Sequence, residues 1–224
     1  MGYQKINIIT GWITFLIALL VYTLTVEPTA SFWDCGEFIA TSYKLEVPHP
    51  PGAPFFLLMG RMFSLFAGDN VEQVAFWINM LSVLSAAFTV LFLFWSITHL
   101  AKKMLVKAGE VLNTGQTIAV MGAGLVGGLV CTFSDSIWFS AVEAEVYAMS
   151  SFFTAFVFWA ILKWETINDE SDHNKWLILI AYMMGLSIGV HLLNLVTIPA
   201  LGLIVYFKYV EKITPKGVIL TLLT

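Results

Sequence analysis

The chain has 224 residues, of which 58% are hydrophobic and only 12% are charged, and its mean hydropathy is +0.83. Several charge-free stretches approach the ~20 residues that a helix needs to cross a bilayer, which excludes an ordinary soluble domain. The net charge of −4 says little by itself, but the absence of a basic patch interleaved with aromatic residues excludes nucleic acid as an expected partner. We therefore predict an all-α polytopic membrane protein, with residues 1–224 forming a single transmembrane domain.

The first predicted span covers residues 8–26. A cleaved signal peptide is the alternative, but its apolar core would be too long, and residues 28–30 match a small-residue cleavage site poorly. Three further spans follow from the charge-free windows, at residues 74–97, 118–133 and 146–162.

The apolar residues 176–207 would form a single helix of roughly 48 Å, which is long for one crossing. We therefore expect two shorter helices with a tip near residues 191–194, where Gly189 precedes and Pro199 follows the tip. The total is about six spans. The apolar residues 217–224 are the predicted start of a seventh span, so the chain is expected to be the front part of a longer protein.

Basic residues fall mainly on one side of this predicted topology. Lys44 and Arg61 lie on the other side, while the remaining lysines share one side: Lys5, Lys102, Lys103, Lys107, Lys163, Lys175, Lys208, Lys212 and Lys216. Because cytoplasmic loops carry an excess of Lys and Arg, the amino terminus is predicted to be cytoplasmic. Residues 27–72 and 134–147 would then be the first and second outside loops, on the periplasmic side.

The first outside loop is predicted to contain two helices that lie in the membrane interface. Ser31 and Asp34 have the spacing of a capping box, which predicts a helix over residues 32–45. The prolines between residues 48 and 54 then force an extended turn. Residues 55–67 are apolar but too short to span a bilayer, which favours an interfacial helix.

Two smaller patterns concern the middle of the chain. Ser140 and Glu143 repeat the capping-box spacing ahead of the span at 146–162. Gly124 and Gly128 are four residues apart in the third span, a spacing that allows a neighbouring helix to approach closely.

Polar side chains gather in three predicted outside segments, which would meet on one face of the membrane. The first segment holds Asp34, Glu37, His49 and Arg61. The second holds Asp135, Glu143, Glu145 and Tyr147, and the third holds His191 and Asn194. Glycosyl transfer from a lipid phosphate needs a polar site at the membrane surface with two kinds of group. The first task, to accept the proton of the acceptor hydroxyl, belongs to a carboxylate. The second task, to hold the phosphate, belongs to cationic or hydrogen-bonding groups. Arg61, His49 and His191 are the candidates for the second task.

Each of these residues also has a structural interpretation. Asp34 and Glu143 could only cap helices, and Glu37 and Glu145 could only face water or headgroups. His49 could be a turn residue, Arg61 could extend its charge to the interface, and Tyr147 could belong to an aromatic belt. His191 could form a hydrogen bond inside the bundle. Asp34, Glu37 and Glu145 could together hold a divalent metal through oxygen ligands. The cysteines and histidines do not have the spacing of a zinc site. We expect neither a metal nor another cofactor.

Three motifs resemble those of a known family. Residues 34–38 (DCGEF), 49–54 (HPPGAP) and 143–148 (EAEVYA) are similar to the motifs of a bacterial membrane family formerly of unknown function, which has an animal relative proposed to be a protein O-mannosyltransferase. That family is in turn similar to the GT-C glycosyltransferases, whose first outside loop carries a catalytic acid. The resemblance implies a GT-C-like helical bundle in the cell inner membrane.

The resemblance also implies roles for individual residues. Asp34 would be the general base, and Glu37 would orient the acceptor or the donor sugar. His49 would border the donor, Glu145 and Tyr147 match the second-loop motif, and His191 corresponds more loosely.

Together these features predict an inverting glycosyltransferase that moves a hexose, with mannose the expected sugar, from a polyprenyl-phosphate donor. The acceptors would be Ser or Thr hydroxyls of exported proteins. The alternative is a transporter or flippase of a lipid-linked sugar, which would use the same polar cavity without a base.

Overall fold

The computed structural model describes residues 2–107, 109–167 and 169–223, and every regular element within these ranges is helical. In chain order the helices are α1 (Tyr3–Thr25), α2 (Cys35–Lys44), α3 (Pro54–Ser64), α4 (Val74–Leu105), α5 (Thr114–Thr132), α6 (Asp135–Ala141), α7 (Val146–Glu165), α8 (Glu170–Ile188), α9 (Ile198–Tyr209) and α10 (Pro215–Leu223). Short 3₁₀ turns occupy Leu65–Ala67, Val71–Gln73 and Leu192–Thr197.

In the described part of the chain, five helical segments have the length and composition needed to cross a membrane. They are Tyr3–Thr25, Val71–Leu105, Thr114–Thr132, Val146–Glu165 and Leu192–Tyr209. This confirms the predicted all-α polytopic membrane protein. A sixth predicted span corresponds to α8, whose first turns include Asp172 and Lys175, so its apolar part begins only at Trp176.

The division of residues 176–207 into two helices is also found. α8 ends at Ile188, the tip forms the 3₁₀ turn Leu192–Thr197, and α9 follows. The short apolar segment Pro54–Ala67 occupies the position predicted for an interfacial helix. α6 was not predicted, since its seven residues lie in what the sequence indicates is a loop.

The long helix α4 is the centre of the bundle, and α1, α5 and α7 all pack against it. The two glycines of α5 make close packing possible. A Cβ atom added at Gly124 would lie 2.6 Å from the Thr98 methyl and 2.7 Å from the Phe94 ring, and one at Gly128 would lie 2.9 Å from the Thr14 methyl. The predicted close approach through Gly124 and Gly128 is therefore confirmed.

The bundle has two chemically different ends. We call the end that carries the segments 26–73, 133–145 and 189–197 the acidic end. The opposite end, which carries residues 102–107, 109–113, 163–167 and 169–175, is the basic end. At the acidic end, the Glu27 amide donates to the Val142 carbonyl at 2.9 Å, and the Phe55 amide donates to the Gly189 carbonyl at 2.7 Å. These main-chain bonds join all three segments that were predicted to carry the site.

Candidate functional site

Asp34 lies immediately before α2 and is exposed, and its carboxylate does not cap the helix. The predicted capping box is wrong, because α2 begins at Cys35 and the Ser31 hydroxyl instead donates to the Glu143 carboxylate, which lies 112 residues further along the chain. The second predicted box is wrong as well. The cap position of α7 is Glu145, and the Ser140 hydroxyl donates to the Ser136 carbonyl.

Glu37, in the first turn of α2, holds the proline-rich turn through both of its carboxylate oxygens. Oε1 accepts from the His49 amide at 2.7 Å, and Oε2 lies 2.9 Å from His49 Nδ1. The hydrogen bond to His49 lowers the pKa of Glu37, and the same bond raises the pKa of His49. The pair therefore favours a negative Glu37 and a positive His49, and it places this cation beside Asp34.

Asp34, Glu37 and His49 form a compact group. One ligand atom from each lies within 4.8 Å of the other two. Two carboxylates and one imidazole could hold a divalent cation, although the set expected from the sequence contained Glu145 rather than His49. The expectation that the protein needs no metal remains a prediction.

Two further carboxylates lie buried behind this group, on the segment between α6 and α7. Glu143 is 2% exposed and Glu145 is 6% exposed. Burial, followed by repulsion from Asp34 and Glu143, raises the pKa of Glu145 to about 7. Burial also raises the pKa of Glu143, which the hydrogen bond from Ser31 opposes. Glu145 is therefore partly protonated near neutral pH and can donate as well as accept a proton.

A cleft of about 440 Å³ opens between these groups. Its walls are formed by Trp33, Asp34, Asp135, Ser136, Phe139, Ser140, Glu143, Glu145 and Tyr147. Trp33 is 86% exposed and has a φ of 63°, a conformation that is strained for a bulky side chain. Carboxylates and exposed aromatic rings thus line the same space, which suits a polyhydroxylated ligand that offers both hydroxyl groups and apolar C–H faces.

Tyr147 links the cleft to the tip between α8 and α9. The Tyr147 ring lies 5.5 Å from the His191 ring, measured between centroids. His191 Nδ1 accepts a hydrogen bond from the Leu193 amide at 3.1 Å, which fixes its ring at the start of the 3₁₀ turn. His191 therefore borders the cleft through Tyr147.

Arg61 and Asn194 do not line the cleft. The Arg61 guanidinium donates to the Tyr43 carbonyl at 3.0 Å, at the carboxyl end of α2, and lies over the Tyr43 ring. Asn194 is fully buried, where its amide donates to the Ser187 hydroxyl at 2.7 Å and accepts from the Thr154 hydroxyl at 3.1 Å. Both residues connect elements that carry the site.

Sequence reasoning missed Asn79, a fully buried residue of α4. Its amide donates to the carbonyls of Glu27 at 2.6 Å and Thr29 at 3.0 Å, and its oxygen accepts from the Cys35 thiol at 3.9 Å. Asn79 thus holds the chain that leads from α1 to Asp34. The signal was available, because a polar amide inside a predicted membrane span is costly unless it is paired.

Comparison with known proteins identifies a family and two similar proteins. The family described as the protein O-mannosyl-transferase TMEM260 N-terminal domain matches residues 34–214. A Dictyostelium discoideum protein named protein O-mannosyl-transferase tmem260 is 27% identical over 141 residues, which are 63% of this chain and 15% of that protein. The Mus musculus protein O-mannosyl-transferase TMEM260 is 27% identical over 175 residues, covering 78% of this chain and 22% of that protein.

No solved structure matches the chain. The chain spans between about a seventh and a quarter of the length of these two relatives. The matched region runs from Asp34 to beyond α9, so it includes every residue of the cleft except Trp33, the Glu37–His49 pair and the tip at His191. The chain belongs to the protein O-mannosyl-transferase TMEM260 N-terminal domain family.

Proposed function

We propose that this chain forms part of a membrane glycosyltransferase of GT-C type that transfers mannose to Ser or Thr hydroxyls of exported proteins. Its donor is a polyprenyl phosphate sugar, and the transfer inverts the anomeric centre. The proposal is supported by the names of the two relatives and by one structural observation: an exposed, uncapped Asp34 lies at a cleft beside His49, which is paired with Glu37, and a buried, protonatable Glu145. The basic end faces the cytoplasm and the acidic end the periplasm, in the inner membrane.

In the proposed reaction, Asp34 accepts the proton of the acceptor hydroxyl as its oxygen attacks the anomeric carbon. The bond from that carbon to the phosphate oxygen breaks, and the polyprenyl phosphate leaves with the bonding electron pair. His49, held by Glu37, stabilises the negative charge on the leaving phosphate. A single displacement of this kind inverts the configuration of the sugar.

The remaining residues bind or position the substrates. Glu143, Glu145, Tyr147 and His191 contact the sugar or the acceptor around the cleft. Arg61 and Asn194 position the α2–α3 hairpin and the tip, because their polar groups are already bound within the protein.

Replacing Asp34 with Asn in the whole protein that contains this chain tests the proposal. The substitution keeps the shape of the side chain but removes the base, so transfer of mannose from polyprenyl-phosphate mannose to a Ser/Thr peptide is expected to fall by ~10² or more. The matched control is Asp69→Asn, which removes an exposed carboxylate from the same loop but outside the cleft. Its transfer rate is expected to stay within about twofold of the parent protein.

Mass spectrometry of the peptide measures the product, and gel filtration checks that each variant is folded. Undiminished transfer by folded Asp34→Asn would remove Asp34 as the base. Movement of the lipid-linked sugar across vesicles without any glycosylated peptide would favour a flippase instead.

A further inference from the structure

A second, larger cavity lies at the basic end, far along the helices from the acidic cleft. Its volume is about 900 Å³, and it is lined by the first turns of α1, the last turns of α4 and α7, and residues that follow α4. Its wall carries four lysines and two carboxylates, so it has a net positive charge with histidine counted as neutral. The lysines are Lys102, Lys103, Lys107 and Lys163, and the carboxylates are Glu110 and Glu165.

Both carboxylates already have partners. Glu165 forms an ion pair with Lys103, and Glu110 accepts from the main-chain amide of Lys107. Lys102 and Lys163 both line the cavity, where Lys102 lies over the Tyr3 ring and Lys163 over the Trp159 ring. Within residues 2–107, 109–167 and 169–223 neither lysine forms an ion pair with a carboxylate. Two lysines that line one cavity without a carboxylate partner favour an anion between them.

Neutral polar groups also line this space. His99 faces the cavity near both lysines, and Asn7 lies opposite on α1. The Asn7 Oδ1 atom is buried and has no hydrogen-bond partner among the described residues. An excess of lysines on one side of a membrane protein needs no cavity, so topology alone does not account for this concave polar site.

The cavity continues into an apolar strip on the outer face of α1. Ile8 lines the cavity and is 52% exposed, and Trp12 and Leu16 follow at four-residue intervals with 42% and 57% exposure. Residues four apart share one face of a helix, so the strip runs from the cavity towards the middle of the bundle. A ligand with a phosphate at one end and hydrocarbon at the other matches both parts.

We propose that this basic cavity binds the headgroup of an anionic phospholipid. Lys102 and Lys163 hold the phosphate, His99 and Asn7 bond to the polar part of the headgroup, and an acyl chain lies along Ile8, Trp12 and Leu16. The site is independent of the proposed transfer reaction, because it lies at the opposite end of the bundle.

Native mass spectrometry of the whole protein tests the site. The protein is released from nanodiscs that contain equal amounts of phosphatidylglycerol and phosphatidylcholine. We expect phosphatidylglycerol to be retained preferentially. The double variant Lys102→Gln/Lys163→Gln is expected to lower that preference roughly 30-fold, as removal of two lysines at a lipid surface predicts. The matched control is Lys5→Gln/Lys212→Gln, which removes two exposed lysines of the same end that do not line the cavity.

Equal retention of the two lipids, or equal loss of preference in the two double variants, would overturn the proposal. A third arm adds inorganic phosphate. If phosphate displaces the lipid at equal concentration, the hydrocarbon contributes nothing and the site binds a soluble phosphate compound instead.

Discussion

Three carboxylates within one small region have different electrostatic surroundings. Glu37 accepts two hydrogen bonds from His49, which favours its charged form, whereas burial of Glu145 favours its neutral form. Asp34, between them, is exposed and has no capping role. Environments that push the pKa values of neighbouring acids apart are the means by which proteins separate a charged base from a protonated donor.

Glu145 should make the stability of the protein depend on pH. Its folded-state pKa of about 7 lies above its ordinary value of 4.5, so the folded state binds this proton more tightly. This proton therefore adds ~1–2 kcal/mol to the free energy of unfolding, after allowance for solvent at the cleft. That contribution is fully present below pH 4.5 and is lost as the pH rises to about 7. Glu145→Gln should therefore unfold at a higher denaturant concentration than the parent at pH 8, but not at pH 4.5.

Chemical denaturation in detergent micelles measures this difference. The control is Glu46→Gln, which removes an exposed carboxylate at the same end. If Glu145→Gln and the parent show the same pH dependence, Glu145 is not the group responsible.

The Glu37–His49 pair predicts a separate titration. Because the bond to Glu37 raises the pKa of His49, Glu37→Gln should lower it. Histidine-labelled NMR spectra recorded between pH 5 and 9 would follow the His49 ring in the parent protein and in the variant. A His49 pKa that is unchanged in Glu37→Gln would contradict the pairing.

At the scale of helices, hydrophobic length and proline placement predicted the long helices and the α2–α3 hairpin, but not the short helix α6. The spans, the α2–α3 hairpin and the division between α8 and α9 all follow from the way apolar stretches are interrupted. Caps were not predictable, because Ser31 has a partner 112 residues away that local spacing cannot reveal. Local spacing also could not predict the pairing of Glu37 with His49, because that pairing depends on the path of the chain through the prolines.

The packing of α5 gives a prediction at this scale. Gly124→Val should destabilise the protein by ~1–3 kcal/mol, because the added side chain would overlap Thr98 and Phe94 of α4. Gly122→Val is the matched control, since a Cβ atom there would meet no atom within 4 Å. Thermal unfolding of both variants in detergent compares them, and equal losses would mean that helix propensity rather than close packing sets the cost.

At the scale of the whole molecule, the essential feature is that distant parts of the chain meet at one end. The sequence predicted this convergence from alternating spans and the lysine distribution, without any knowledge of contacts. It could not predict which polar groups face the cleft. Arg61 and Asn194 are at the expected end, yet their polar groups are bound elsewhere, because local backbone carbonyls and hydroxyls are closer partners than a ligand.

Cysteine labelling tests the convergence and the orientation together. The background carries Cys131→Ser, and Cys35 is left in place because it is fully buried. Two reporter variants are made in this background: Val47→Cys beside the proline turn and Leu192→Cys at the tip. Both should react with an impermeant maleimide from the periplasmic side. Met104→Cys, 87% exposed at the basic end, should react only from the cytoplasmic side. Reaction of the first two from opposite sides would exclude a shared site, and inverted accessibility of all three would reverse the orientation.

The bond between the Phe55 amide and the Gly189 carbonyl affects how any mutant of the site is interpreted. It connects the segment after His49 to the segment before His191 through peptide groups alone, so the spacing between these two loops does not depend on the identity of either histidine. Exchange of His49 or His191 would leave this bond in place, but it would remove the contact with Glu37 or the cap of the 3₁₀ turn. A change in turnover then reports on the imidazole and its local contacts, and not on separation of the two loops.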